Sequence, residues 1–135
     1  MSNLIQPSVF LRRALLADAI VSGAVAALMA PGADALQGPL GLPASLSMLV
    51  GLGFVPYVAY LVWLATRPAV PRAAVWVPIV LNVAWAIECG VFLASGSLSP
   101  TVLGQAFVVV QIVAVLVFAG LQHVGLKRAC AIVPA

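Results

Sequence analysis

Charge is what this chain has least of. Three acidic residues (Asp18, Asp34, Glu88) and six basic ones make up 7% of its 135 residues, against roughly a quarter in an ordinary soluble domain. That scarcity excludes a water-solvated fold. Histidine is nearly absent too: a single one, His123, stands with two distant cysteines, Cys89 and Cys130. They cannot supply the ligands of a usual zinc site or bis-histidine haem, and without a CxxC they carry no thiol-disulfide signature. A structural disulfide is not expected either, because Cys130 follows Lys127 and Arg128 on the side expected to face the reducing cytoplasm. Cys89 reads as a small buried apolar group. No GxSxG, Walker A or dinucleotide-binding fingerprint is present, and no stretch reads as a convincing strand. Neither enzyme activity, nor a cofactor, nor a metal is expected.

What is there is apolar sequence: 64% hydrophobic residues and a mean hydropathy of +1.22. Each helix crossing the roughly 30 Å bilayer core uses about 20 residues, so the chain has room for four crossings in one domain. The runs fall at about residues 12–30, 44–66, 73–95 and 100–126. Between them, residues 31–43 are dense in proline and glycine and read as an exposed connection. Residues 67–72 (RPAVPR) make a tight turn, and residues 96–100 (GSLSP) make the last loop, with Ser99 as N-cap and Pro100 at the first helical position. Pro56 is expected to kink the second span, Gly51 and Gly53 to admit a neighbouring helix, and Trp63 and Trp76 to sit at the membrane interface. A cleaved signal peptide ending at Ala30 is the rival reading of the first run, but Leu28 at position −3 and Pro31 just after the cut argue against it.

All six basic residues fall in three groups: Arg12 and Arg13, Arg67 and Arg72, Lys127 and Arg128. By the positive-inside rule these mark the cytoplasmic side. The expectation is therefore an all-α, integral membrane four-helix up-down bundle, multi-pass in a bacterial inner membrane, with both termini cytoplasmic. The formal charge of +3 is read as topology, not as a nucleic-acid surface. The partners expected are the lipid bilayer and a homo-oligomer or larger membrane complex.

Polar side chains inside apolar runs are costly and face the bundle or a wet cavity by default. Counting about 1.5 Å per residue from the span ends arranges them as a column. Asp18, Tyr60 and His123 lie towards the cytoplasm; Asn82, Gln111 and Tyr57 lie near the middle; Glu88, Cys89 and Gln105 lie beyond. Asn82, Trp85 and Cys89 share a stripe that Glu88 flanks, and Gly104, Val108, Gln111, Val115, Phe118 and Gln122 form the matching stripe on the last span. Both are expected to look inward. Asp18 and Glu88 are the ionisable candidates, about 15 Å apart in depth and so too distant for an acid-base pair. Each residue also has a plainer reading: Asp18 pairing with Arg12, Arg13 or His123, Glu88 pairing with Gln105, Asn82 and Gln111 as interhelical hydrogen bonders, His123 as an interfacial group, and Trp85 as packing.

Two function classes follow. One is the binding or transport of a small solute or protons through this column; the other is a non-catalytic accessory subunit packing through Ser22-xxx-Ala26, Gly23-xxx-Ala27 and Gly51/Gly53. In size and span count the chain resembles small multidrug resistance transporters, with Asp18 in the span where that family keeps its essential glutamate. It departs from them in having Asp for Glu, in its strong charge bias and in lacking their other motifs. LRRALLADAIVSG, LGLP, VWVPIVLN, SPTVLGQAFVVVQ and LQHVGLKR more closely resemble small four-span bacterial inner-membrane proteins, a likeness that implies the fold and the membrane and no activity.

Overall fold

The computed structural model describes residues 4–96 and 100–131, with side chains as far as residue 129. Its elements are β1 (Leu4–Gln6), α1 (Val9–Met29), α2 (Ala33–Leu40), α3 (Ala44–Thr66), β2 (Val70–Pro71), α4 (Arg72–Ser95), α5 (Val102–Arg128) and β3 (Cys130–Ala131). Helix dominates, as expected. Helices α3, α4 and α5 are long and apolar enough to cross a membrane, and α1 with α2 make a fourth if that bent pair is one span. Their outward faces are apolar as well: Ile20 is 72% exposed, Leu49 70% and Val110 64%. Helices apolar all round are compatible with burial in lipid or against further protein.

Several expectations are corrected. The 31–43 connection is not open chain, because α2 occupies most of it, bent 91° from α1, with Ala33 and Leu40 buried. Its last carbonyls lack helical partners and take donors from Thr101: the Thr101 hydroxyl donates to Pro39 O at 2.6 Å and its backbone N–H to Leu40 O at 3.1 Å. Thr101 is also the N-cap of α5, accepting from the Gly104 N–H. Pro100 is therefore not the first helical residue, and Ser99 lies outside the described residues. Helix α1 begins earlier than residue 12, capped by Ser8, and α3 runs on through Pro56 as one helix.

A three-stranded antiparallel sheet, in the order β2-β1-β3, was not anticipated. Its strands are two or three residues long, too short for alternating hydrophobicity to show. Ile5 pairs with Val70 and with Ala131, and both Ile5 and Val70 are buried. The sheet therefore joins the N-terminal strand, the α3–α4 connection and the chain after α5 at one end of the molecule. The tightest core lies just above it, around Leu11, Leu15, Leu61, Leu64, Val75 and Leu126. Helix α1 packs extensively on α3, and α4 on α5; α1 also meets α5, whereas α3 and α4 touch little. That sparse seam leaves the interior open away from the sheet.

Candidate functional site

Asp18, on α1, is fully buried and is the point at which the four long helices meet. Its Oδ2 accepts hydrogen bonds from the Tyr57 hydroxyl of α3 at 2.7 Å, the Asn82 amide of α4 at 3.0 Å and the Gln122 amide of α5 at 2.7 Å. Its Oδ1 accepts from Ser22, one turn along α1, at 3.0 Å. Asn82 Nδ2 also donates to Gln122 Oε1 at 3.3 Å, closing a ring of three side chains. Four donors on two oxygens is the pattern an acceptor-only carboxylate accommodates, and each donor is aimed at it by a different helix or turn.

Neither Arg12 nor Tyr60 serves Asp18, because backbone geometry claims both. Pro78 has no N–H to give to Ala74 O four residues earlier, and the Tyr60 hydroxyl fills that vacancy at 2.6 Å. Ala65 O, in the last turn of α3, is similarly short of a helical donor, and Arg12 supplies one at 2.6 Å. His123 is half-buried and lies against Trp76, with ring centroids 5.4 Å apart. Tyr60 and His123 thus stand outside the cluster that their depth suggested. Gln122 and Ser22 stand inside it, though neither was singled out as a site residue. Spacing held the signal: Gln122 is eleven residues, about three turns, beyond Gln111, and Ser22 is one turn beyond Asp18.

Beside this network is a cavity of about 190 Å³, with Asp18, Tyr57, Asn82, Trp85 and Gln111 among its polar lining and Phe54 and Phe118 among its apolar walls. A second cavity of about 180 Å³ lies beyond it, lined by Glu88, Cys89, Phe92 and Phe107 among others. Trp85 and Gln111 border both, and Trp85 Nε1 donates to Gln111 Oε1 at 3.3 Å. Phe54 packs edge-on against Trp85 at 5.4 Å and holds its indole in place. The order along the interior is therefore the Asp18 network, the first cavity, the Trp85–Gln111 pair and the second cavity.

Glu88 departs from the inward orientation expected of it. It is exposed, sits at the margin of the second cavity and makes no hydrogen bond or ion pair among the described residues. Six residues from Asn82 places it roughly 120° round the helix, whereas Cys89, seven residues on, returns to the buried stripe. Gln105, its anticipated partner, is exposed and reaches back to Pro100 O at 3.4 Å. Cys89 is buried, and the Cys130 side chain lies outside the described residues. No group of three or more His, Cys, Asp or Glu that could hold a metal occurs among the described residues.

Against known protein families, curated proteins and solved structures, the chain finds no match.

Proposed function

We propose that the chain is a four-span, up-down bundle of a bacterial inner membrane that binds or transports a small solute or protons through the polar core around Asp18. The observation that carries this reading is a carboxylic side chain completely buried where four apolar helices converge, next to a cavity. Cross-linking four helices needs no acid, since an amide supplies the same hydrogen bonds at lower cost in a membrane. Retaining an ionisable group there points to a use for its charge. The accessory-subunit reading draws less support, because most of the surfaces reserved for it are spent inside the chain. Ser22 and Ala26 are buried, Gly23 faces Val58, and Gly51 is pressed against Ala30.

Proton flux tests the reading. In vesicles under an imposed potential, the protein is expected to pass protons measurably faster than protein-free vesicles, and Asp18→Asn to bring the rate down to that background. Equal rates for wild type, variant and empty vesicles, together with no solute bound, would move the assignment to the accessory role.

Both termini and the α3–α4 connection are proposed to be cytoplasmic. The sheet gathers these segments at one end, and the positive-inside rule assigns their arginines and lysine to that side. Gly38, exposed on α2 with open space where a Cβ would stand, is a mild place for a cysteine. In a background lacking Cys89 and Cys130, Gly38→Cys is expected to react with an impermeant maleimide only from outside the cell membrane. Labelling only from the cytoplasm would reverse the orientation.

A further inference from the structure

The hydrogen bonds around Asp18 and Trp85 leave two amide ends over. Asn82 gives its Nδ2 to Asp18 Oδ2 and Gln122 Oε1, so its Oδ1 is the end left unused. Gln111 gives its Oε1 to Trp85, whose indole N–H can only donate, so there the unused end is Nε2. Neither has a hydrogen-bond partner among the described residues, although Asn82 is only 3% exposed and Gln111 8%. An unmet amide group at such depth is costly. Among the described residues, the side-chain N or O atom that is both enclosed and unpartnered is Ser47 Oγ alone. Asn82 Oδ1 and Gln111 Nε2 therefore each keep some accessible surface, and both residues line the first cavity.

The rest of the lining narrows what would meet an acceptor and a donor there. No basic residue lines the cavity among the described residues, which leaves an anion uncompensated. Its single acid, Asp18, already accepts four hydrogen bonds, as many as a carboxylate ordinarily takes, which leaves no site for a cation. Much of the remaining surface is apolar, with Val21, Val25, Leu81 and Phe118 contributing. A cavity of about 150 Å³ holds benzene. About 190 Å³ therefore suits one ring with a small substituent.

We infer that the first cavity binds a neutral one-ring molecule that donates a hydrogen bond to Asn82 Oδ1 and accepts one from Gln111 Nε2, as a primary carboxamide can. The inference rests on the solute-binding reading above and names the class of solute.

Benzamide, acetophenone and isopropylbenzene are alike in size, and the series removes first the donor and then the acceptor. Benzamidinium and benzoate keep the same outline but carry a positive or a negative charge. The intact protein in nanodiscs of zwitterionic lipid is titrated by calorimetry, with each probe corrected for its uptake by protein-free nanodiscs. Benzamide should bind saturably and acetophenone at least about tenfold more weakly, a factor corresponding to roughly 1.4 kcal/mol. Isopropylbenzene, benzamidinium and benzoate should bind more weakly still. Gln111→Met, which removes the donor and keeps the length, should weaken benzamide binding about tenfold and leave isopropylbenzene within a few-fold. The comparison of probes needs no variant, so it holds even if Gln111→Met fails to fold. Absence of saturable benzamide binding, any other probe binding as tightly as benzamide, or undiminished benzamide binding by a folded Gln111→Met variant overturns the inference. Any of these alongside Asp18-dependent proton flux overturns it alone and leaves the proposed function standing.

Discussion

Asp18→Leu is expected to lower the stability of the detergent-solubilised protein by about 3–5 kcal/mol, while Asp18→Asn lowers it by only about 1 kcal/mol. Leucine removes the acceptor from four donors, those of Ser22, Tyr57, Asn82 and Gln122. A stranded buried donor costs about 1–3 kcal/mol, and the total is moderated because Asn82 keeps its bond to Gln122 and Tyr57 borders a cavity. Asparagine can place its carbonyl oxygen where Oδ2 accepts three bonds and its amide where Oδ1 stands, since the Ser22 hydroxyl can turn to accept. Unfolding in mixed micelles, followed by circular dichroism, measures both. If the two variants lose equal stability, the four-donor description of Asp18 is wrong. The same contrast makes Asp18→Asn the right variant for the flux experiment, because it removes the ionisable group and leaves the fold.

The second large effect concerns a glycine and its near neighbour. A Cβ on Gly51 would lie 2.6 Å from Ala30 N and 2.9 Å from Ala30 Cβ, at the point where α1 gives way to the bend before α2. The obstruction is backbone and cannot step aside. Gly51→Leu should therefore cost about 3 kcal/mol or more by forcing α1 and α3 apart. Gly53, two residues on, meets nothing within 4 Å, so Gly53→Leu should stay within about 0.5 kcal/mol. Thermal unfolding of the pair in one detergent decides this, and similar midpoints for both variants would refute the close α1–α3 contact. The sequence treats the two glycines alike. Only the packing distinguishes them: Gly51 faces a helix and Gly53 faces the first cavity.

That distinction recurs through the molecule. Helix content and the limits of α3 and α4 were legible because a long apolar run in lipid must satisfy its own backbone as helix. The buried stripe of α4 through Asn82 and Cys89 and that of α5 through Val108, Gln111, Val115 and Gln122 also followed from helical spacing, whereas the bonding of Asp18 to Tyr57 and Asn82, and of Trp85 to Gln111, did not. Depth along each span was less informative. Tyr60 and His123 were assigned to Asp18 by depth, yet Tyr60 is drawn away by a carbonyl that Pro78 cannot serve, and His123 by Trp76.

The sequence by itself determined that this chain has helices long and apolar enough to cross a membrane, roughly where the four long helices lie, and that its cations fall in three groups. These are properties of composition and of local backbone satisfaction, and each can be counted along one strand of residues. Tertiary structure alone decided that α2 turns across the end of the bundle, that three short strands tie the other end, and that Gln122 and Ser22 complete the Asp18 network. It also decided that Glu88 stands at a cavity margin with no hydrogen-bond or ionic partner among the described residues. Those outcomes depend on the rotation of each helix about its axis and on which helices touch, and the helix period fixes only relative angles within one helix.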